Sequence, residues 1–204
     1  MKKNWSQNMK LAFNKLKQID PLLNKLILDY GLPKDRAVPN EFSTLVKIII
    51  GQQISRSAAE SVFKKLLKKT IVSPEELLNL NITELKEVGL STQKINYIKD
   101  LAFKIKQDEI NLSDFVNLPS NKIYDILIKV NGIGEWTINN YRLFALQDVD
   151  AWPGGDLALQ ESIKKIKNLN SRPNSNEMNQ LSEKWKPYRG AAALLLWHYY
   201  SIKK

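Results

Sequence analysis

The chain has 204 residues, 43% of them hydrophobic and 25% charged, a composition typical of a globular protein with one substantial core or two small lobes. Lysines and arginines number 31 against 21 aspartates and glutamates, and the net charge of +10 indicates either a polyanionic partner or a solubilising surface. The absence of cysteine excludes disulfides, cysteine nucleophiles and cysteine-ligated metal centres, and a single histidine excludes a multi-histidine site.

No apolar run approaches the roughly 20 residues that a membrane-spanning helix needs. The N-terminus carries basic residues without the apolar segment of a secretory signal. We therefore expect an intracellular protein, cytoplasmic or associated with the nucleoid, that has no membrane partner.

The first part of the chain is predicted to be helical. Apolar residues recur at helical spacing over residues 11–30, and Asp20-Pro21 is a natural stop and restart. Residues 42–68 form a second apolar block that contains the adjacent amides Gln52 and Gln53. Because a buried polar group without a partner costs about 1–3 kcal/mol, we expect these amides either to cap helix ends or to serve a ligand.

Short helices with punctuated turns are predicted for the rest of the chain. Ser73-Pro74 starts one helix, and Ser91 is placed to cap another. Helical spacing resumes over residues 123–130 and again over 137–145, with a glycine hairpin between them. Two further helices are predicted at 157–167 and 188–202, with a polar loop at 168–177.

No stretch alternates apolar and polar residues between hairpin turns, as a strand would. No linker is rich enough in glycine or serine to separate independent domains. The sequence therefore predicts an all-α protein of about ten short helices that folds as one domain over residues 1–204.

Two glycines, Gly132 and Gly134, stand where a helix begins near Glu135. Without side chains there, backbone N–H groups lie bare at the positive end of the helix, and a phosphate would fit. The hairpin follows a helix rather than a strand and lacks a Gly-Lys-Ser/Thr sequence, so it supports neither a dinucleotide fingerprint nor a P-loop. The alternative is a tight helix connection in which the glycines serve geometry only.

A lone carboxylate, Asp156, follows the segment Trp152-Pro153-Gly154-Gly155. An aspartate before the apolar residues Leu157-Ala158-Leu159 is typical of an N-cap, and the spacing by itself favours this structural role. A catalytic role is compatible with it, because a cap position fixes the direction of the side chain.

The hairpin Val130-Asn131-Gly132-Ile133-Gly134, with Trp136-Thr137 after it, resembles that of the helix-hairpin-helix-GPD superfamily of DNA glycosylases. Pro153-Gly154-Gly155-Asp156 resembles the Gly/Pro-rich stretch and aspartate of the same family. The resemblance covers roughly residues 10–200 in the same order. Three further stretches resemble the DNA-3-methyladenine glycosylase II branch: residues 50–55, residues 89–91 with Lys94 and Tyr97-Ile98, and residues 185–192 with Trp197.

This resemblance implies a two-lobed helical glycosylase fold with a cleft between the lobes. We expect the helices of residues 1–40 and 157–204 to form one lobe, and roughly 41–145 to form most of the other. The implied partner is double-stranded DNA containing alkylated bases, on which the protein is expected to act as a monomer in base excision repair.

The implied reaction is hydrolysis of an N-glycosidic bond, with Asp156 as the catalytic residue. Its carboxylate would stabilise the positive charge that develops on the sugar and could orient the attacking water. Lyase-competent branches of the family have a lysine where this chain has Trp136. The resemblance therefore implies a monofunctional enzyme that releases 3-methyladenine and 7-methylguanine, with hypoxanthine as a further candidate, and leaves the strand uncut.

A base alkylated on a ring nitrogen is cationic, and an indole face attracts such a cation by about 0.5–2 kcal/mol. We therefore expect a base pocket, although core packing is the more frequent role of a tryptophan. Two of the expected DNA-binding residues, Gln52 and Gln53, match the family's wedge region, which fills the gap left by a flipped nucleotide. The expected pocket residues are Trp136, Trp152, Trp197, Asn140 and Tyr141. The expected DNA-binding residues are Gly132, Gly134, Thr137, Gln52, Gln53 and Lys94.

In the family, hairpin amides bind the phosphates beside the lesion and hairpin carbonyls hold a monovalent cation. The matching amides here are those of Gly132 and Gly134. The matching carbonyls are those of Val130 and Ile133, with Ile128 as a third. The expected ion is sodium or potassium, in a structural role, and no cofactor is required for the reaction.

Two other functions are compatible with parts of the sequence. A non-catalytic helix-hairpin-helix DNA-binding protein would keep the hairpin, but backbone binding needs neither Asp156 nor the tryptophans near the motifs. A helical protein-interaction module with a basic surface would leave the resemblance across five stretches unexplained. We therefore expect the glycosylase.

Overall fold

The structure is a computed structural model that describes residues 5–203; residues 1–4, where the sequence was examined for a secretory signal, and residue 204 lie outside the described part. Within 5–203 the chain is all-α and contains no strand, which confirms the predicted fold class. No helix in this range is long and apolar enough to cross a membrane.

The described residues form α-helices and two short 3-10 helices, Leu112–Val116 and Glu183–Trp185. The α-helices are α1 (Gln7–Ile19), α2 (Pro21–Tyr30), α3 (Phe42–Gly51), α4 (Arg56–Lys69), α5 (Pro74–Asn79), α6 (Ile82–Glu87), α7 (Thr92–Lys106), α8 (Ser120–Leu127), α9 (Glu135–Ala145), α10 (Leu157–Ile166), α11 (Ser175–Ser182) and α12 (Arg189–Ile202). These helices group into two compact units.

Unit 1 comprises the residues up to Ala37 and those from Arg142 onward. Its central element is α12, which packs against α1, α2 and α10. Every residue of α12 from Gly190 to Leu196 is buried, as expected of a helix that is apolar around its whole circumference. The core around it includes Met9, Phe13, Leu16, Leu159, Ile163 and Trp185.

Unit 2 comprises Val38–Tyr141. In it α3 packs against α4 and α7, and α7 also contacts α5 and α6. The apolar residues of α7 between Ile95 and Ala102 form its buried face. Ser73 and Ser91 accept backbone N–H groups in the first turns of α5 and α7, which confirms the predicted helix start at Ser73-Pro74 and the predicted N-cap at Ser91.

One helix, α11, was not predicted from the sequence and begins inside the stretch 168–177 that we expected to be a loop. It starts with a capping box, in which Asn174 and Glu177 exchange side-chain and backbone hydrogen bonds. The helix is polar and buries Met178 and Ser182, so too few apolar residues were present to show a helical period.

Asp20, predicted as the break between the first two helices, is the N-cap of α2 and is 1% exposed. One carboxylate oxygen accepts the backbone N–H groups of Leu22 and Leu23. The other accepts the Trp185 Nε1–H at 2.6 Å and lies 2.7 Å from the Lys184 ammonium. Burial works to raise the pKa of Asp20, but the hydrogen bonds from Lys184 and Trp185 outweigh it and hold the pKa below its ordinary value.

This carboxylate is expected to make stability depend on acid pH. The unfolded chain binds a proton on Asp20 near its ordinary pKa of 3.8, whereas the folded chain does so only at lower pH. The stabilisation is therefore present above that value and is lost as the pH falls through the folded pKa. We predict that Asp20→Asn lowers the free energy of unfolding by about 1–3 kcal/mol at neutral pH and flattens its acid slope.

Urea unfolding at a series of pH values, from neutral down to the lowest pH at which the protein is still folded, measures this slope. Lys184→Met, which removes one of the donors to Asp20, is expected to flatten it in part. An Asp20→Asn variant that loses as much stability in acid as the wild type would contradict the assignment.

Candidate functional site

The hairpin lies in unit 2, between α8 and α9. The Ile133 N–H donates to the Val130 carbonyl at 3.1 Å and closes the turn. The Asp100 carboxylate, on α7, accepts the Asn131 backbone N–H at 2.7 Å and fixes the entry to the turn. Since α9 begins at Glu135, the glycines do precede a helix N-terminus, as predicted.

The two hairpin glycines meet different requirements. Gly132 has φ +74°, where L side chains are strained, and a Cβ atom there would lie 2.1 Å from the Tyr97 ring. A Cβ atom on Gly134 would meet nothing within 4 Å. Gly132 is therefore required by the shape of the hairpin, whereas Gly134 presents bare backbone to open space.

Three of the expected DNA-binding side chains form hydrogen bonds within unit 2. The Gln52 amide donates to the Gly132 carbonyl and to the Thr137 hydroxyl, both at 2.9 Å. The Lys94 ammonium donates to the Ile50 carbonyl at 2.7 Å and to the Gln52 carbonyl at 2.8 Å, and burial lowers the pKa of Lys94. These side chains therefore join the end of α3 to α7, to the hairpin and to α9.

An open depression of about 360 Å³ lies beside the hairpin within unit 2. Gln53 is exposed there, and Trp136 is half-buried. Because bare backbone, amides and an indole converge, the depression suits a ligand that combines anionic and aromatic groups. The predicted site residues in its lining are Gln52, Gln53, Lys94, Gly132, Gly134, Trp136 and Thr137.

Two expected pocket residues on α9 are held inside unit 2. Tyr141 is fully buried, where its hydroxyl donates to Asn40 and its ring packs edge-on against Phe115. The same burial raises the pKa of Tyr141. Asn140 is buried as well, and its amide donates to the Trp136 carbonyl at 2.7 Å, one turn back along the helix. We therefore leave both out of the pocket that we propose.

Trp152, another expected pocket residue, belongs to the core of unit 1 and is 4% exposed. It packs edge-on against Trp185, with ring centroids 5.7 Å apart. Its Nε1 approaches Gly154 so closely that a Cβ atom there would be 2.8 Å away. The structure thus gives Trp152 the core-packing role that was the alternative for each tryptophan.

Asp156 lies in unit 1, as the N-cap of α10, and its side chain is partly exposed. Its Oδ1 accepts the Ala158 and Leu159 backbone N–H groups at 3.0 and 3.1 Å. The same oxygen accepts the Trp197 Nε1–H at 2.9 Å. The cap and the indole together fix the direction of the carboxylate, so the structural role that the sequence favoured is present.

Trp197 reaches Asp156 from α12. Its ring stacks on Phe144, with centroids 5.6 Å apart and planes at 20°, and the Arg36 guanidinium carbon lies 5.0 Å from the Phe144 ring centre. Phe144 therefore covers one face of the indole, and the indole N–H is bonded to the carboxylate. Trp197 positions Asp156, and its expected stacking on a base stays a prediction.

The loop before Asp156 is anchored by two ion pairs within unit 1. The guanidinium of Arg142 lies 2.6 Å from the Asp148 carboxylate, and that of Arg189 lies 2.6 Å from Asp150. The hydrogen bond to Asp150 raises the pKa of Arg189. Arg189, for which the sequence suggested a structural pairing with a carboxylate rather than a DNA contact, therefore holds the segment that leads to the candidate catalytic residue.

The hairpin carbonyls have the donor chemistry of a monovalent-cation site, since sodium and potassium bind neutral oxygens. The Val130 carbonyl accepts one turn N–H and has a second lone pair for an ion. Ile133 and Ile128 flank it on either side of the turn. Among residues 5–203, no group of three or more His, Cys, Asp or Glu side chains is arranged to hold a metal. The Val130 carbonyl has the donor chemistry of such an ion, and the expected sodium or potassium site on the three carbonyls stays a prediction.

The face of α7 that supports the hairpin was not predicted from the sequence. Gln93, Tyr97 and Asp100 are spaced four and three residues apart, so they share one helical face. The Gln93 amide donates to the Tyr97 hydroxyl, and Asp100 binds the hairpin backbone. The helical spacing of these three polar residues, beside the apolar face of α7, is the signal that could have identified them.

Two helices, α8 and α9, joined by a short hairpin whose glycines precede the second helix form a helix-hairpin-helix arrangement. More specifically, the chain belongs to the HhH-GPD superfamily of base excision DNA repair proteins, whose family model matches residues 46–187. The resemblance inferred from the motifs is therefore confirmed.

Two curated relatives come from Bacillus subtilis. One, named DNA-3-methyladenine glycosylase, is 29% identical over 199 residues, which are 91% of this chain and 65% of the relative. The other, YfjP, which carries the same name provisionally, is 29% identical over 181 residues, 84% of this chain and 60% of the relative. The chain thus spans less than two thirds of the length of these relatives.

Solved structures show the same fold. The Schizosaccharomyces pombe 3-methyladenine DNA glycosylase Mag1, in complex with abasic DNA, is similar with a TM-score of 0.85 and 24% identity. The similarity covers 91% of this chain and 94% of that one. A DNA-3-methyladenine glycosidase from Bacillus halodurans has a TM-score of 0.77 and 25% identity, over 97% and 91% of the two chains. These similarities confirm the helical glycosylase fold.

Proposed function

We propose that the protein is a monofunctional DNA glycosylase that hydrolyses the N-glycosidic bond of alkylated purines in double-stranded DNA. Its substrates would be 3-methyladenine and 7-methylguanine, with hypoxanthine as a further candidate. It would act as a monomer, inside the cell, where chromosomal DNA is found. The observation that carries the proposal is Asp156, a partly exposed carboxylate fixed by three N–H donors in a chain of a base excision repair family.

Asp156 would supply the electrostatic part of catalysis. As the bond between sugar and base lengthens, positive charge develops on the sugar ring. A carboxylate already fixed in direction stabilises that charge without reorganising, and the stabilisation is larger in the transition state than in the ground state. The same carboxylate would orient the water that attacks the sugar, while the base leaves with the electron pair of the broken bond.

Trp136 supports the monofunctional assignment. Strand cleavage by the lyase route requires an amine that forms a Schiff base with the sugar. An indole has no such amine, and this indole lines the depression beside the hairpin. Base release would therefore leave an abasic site in an intact strand.

For the two methylated bases, the chemistry of the base removes the need for a general acid. A purine alkylated on a ring nitrogen carries positive charge and leaves readily, and the Trp136 indole would attract it by cation–π interaction, whereas hypoxanthine is neutral and has neither advantage. His198, the one histidine, bonds to the Tyr30 carbonyl in unit 1. This bond suits a structural role for His198 and leaves Asp156 as the proposed catalytic group.

The hairpin would bind the DNA backbone. The amides of Gly132 and Gly134 lie at the positive end of α9, an arrangement that binds phosphate. A sodium or potassium ion on the carbonyls of Val130, Ile133 and Ile128 would add positive charge beside that phosphate. The net charge of +10 supports non-specific attraction to DNA.

Methylated DNA tests the proposed reaction. DNA treated with dimethyl sulfate is incubated with the protein, and free 3-methyladenine and 7-methylguanine are quantified by chromatography; a duplex with hypoxanthine forms a separate arm. We expect release above the spontaneous rate. A non-catalytic DNA-binding protein would bind the same DNA without raising that rate.

The proposed binding of a DNA phosphate by the hairpin gives a second prediction. Gly134→Asp is expected to weaken binding to DNA by about tenfold or more, because it places negative charge at a helix N-terminus that binds anions. The loss should be equal for damaged and undamaged duplexes, since phosphate contacts carry no sequence information. Fluorescence anisotropy at fixed salt measures both.

Gly134→Asn is the matched control, because it adds the same shape without the charge. A Cβ atom at this position meets nothing within 4 Å, so both variants should fold. A loss confined to damaged DNA, or one as large for asparagine as for aspartate, would contradict the phosphate-binding role.

A further inference from the structure

The turn between α3 and α4, residues 52–55, is held in a conformation that its sequence does not favour. Gln53 has φ +57°, a left-handed backbone that residues other than glycine adopt rarely. Its exposed side chain lines the depression beside the hairpin. A residue strained in this way keeps its conformation where neighbouring contacts fix it.

Lys94 supplies such contacts from α7. Its ammonium donates to the carbonyls of Ile50 and Gln52, at 2.7 and 2.8 Å, where α3 ends. A positive charge is favourable at the C-terminal end of a helix. Lys94 lies in the first turn of its own helix, where a positive charge is unfavourable, so its position is explained by α3 rather than by α7.

Gln52 connects the same turn to the hairpin. Its backbone carbonyl accepts Lys94, and its side-chain amide donates to Gly132 and Thr137 at 2.9 Å each. The residue before Gln53 is therefore held from two sides, by α7 through its main chain and by the hairpin through its side chain. The turn and the hairpin are joined into one element.

We propose that Lys94 is a positioning residue, which clamps the turn to the hairpin and so holds Gln53 where it can enter the base stack beside a bound phosphate. The inference rests on the proposed function, because it takes the hairpin as the DNA grip. Lys94 acts through the carbonyls of Ile50 and Gln52 and not by contact with DNA. Loss of Lys94 should therefore impair opening of the stack while phosphate binding persists.

A duplex with 2-aminopurine beside the lesion tests this, because 2-aminopurine fluorescence rises when its stack opens. With the duplex saturated by protein, Lys94→Met is expected to lower the rise by about threefold or more, whereas affinity for undamaged duplex changes by less than about threefold. Lys94→Arg, which retains charge and donors, should restore most of the rise. Gln53→Ala should reproduce the loss, and the double variant Lys94→Met/Gln53→Ala should be no worse than Gln53→Ala alone.

Lys99→Met is the matched control for a merely structural effect. Lys99 lies on the same helix, is half-buried like Lys94, and donates to the carbonyls of Leu78 and Leu80 where α5 ends. Removal of its ammonium should lower the melting temperature much as Lys94→Met does. It should leave the 2-aminopurine signal at the wild-type level.

The fluorescence readout needs no catalysis, so it separates this inference from the proposed function. A wild type that opens the stack without releasing a base would refute the glycosylase assignment and still support Lys94, provided that Lys94→Met loses the signal. A wild-type signal retained in Lys94→Met would overturn the inference. Additive losses in the double variant, an equal loss in Lys99→Met, or no rise with the wild type would overturn it as well.

Discussion

Asp156→Asn is expected to lower the rate of base release by about two to three orders of magnitude, the usual effect of removing a fixed group that stabilises transition-state charge. Asparagine accepts the α10 backbone N–H groups as well as aspartate does, so the helix cap should survive. What is lost is the negative charge that we propose stabilises the sugar in the transition state. Single-turnover release of 7-methylguanine from methylated DNA measures the effect.

Asp35→Asn is the matched control for this substitution. Asp35 also accepts a nearby backbone N–H, that of Ala37, and its replacement changes the net charge by the same amount. We expect Asp35→Asn to release base at the wild-type rate. Equal rates for Asp156→Asn and the wild type, with melting temperatures unchanged, would refute the catalytic assignment.

Gly132→Ala is expected to destabilise the hairpin by about 2–5 kcal/mol, the sum of a left-handed backbone without glycine and an overpacked contact. The added Cβ atom would lie 2.1 Å from the Tyr97 ring, so the ring or the hairpin must shift. Because the hairpin is the proposed phosphate-binding site, the affinity for DNA should fall together with the stability of the protein. Thermal unfolding and anisotropy on the same samples measure both.

Gly134→Ala is the control that removes a hairpin glycine without the contact to Tyr97. Gly134 lies two residues further on, has no left-handed backbone and has open space for a Cβ atom. We expect its melting temperature to match the wild type. A similar loss of stability in both variants would contradict the role of the Tyr97 contact.

Much of the fold was predictable because local signals agreed with tertiary packing. Asp20-Pro21 marked a helix boundary, and Ser73 and Ser91 marked two helix starts, through chemistry that acts within one turn. The start of α11 was misassigned to a loop, since its capping box, Asn174 with Glu177, was outweighed by a polar composition. The spacing of apolar residues cannot reveal a helix that buries only one or two side chains.

The sequence predicted those site residues whose role depends on their own backbone conformation or residue type. It predicted less well those whose role depends on a partner far away in the chain. Gly132 and Asp156 stand where the sequence placed them, at a turn and at a helix cap. The bond from Trp197 to Asp156 joins residues 41 positions apart, and no pattern in the sequence encodes it. Lys94 was grouped with DNA contacts because a basic residue near a motif looks the same whether it binds phosphate or caps α3.

The most direct test of the proposed function is single-turnover incubation of an end-labelled duplex with one 7-methylguanine, after which each sample is divided between neutral quenching and treatment with an AP endonuclease at neutral pH. We expect the wild type to give a strand break at the lesion only after the endonuclease, which marks an abasic site left by hydrolysis, and Asp156→Asn to leave the strand intact in both. No endonuclease-dependent cleavage would contradict the glycosylase assignment. Cleavage in the samples without endonuclease would contradict the monofunctional mechanism inferred from Trp136.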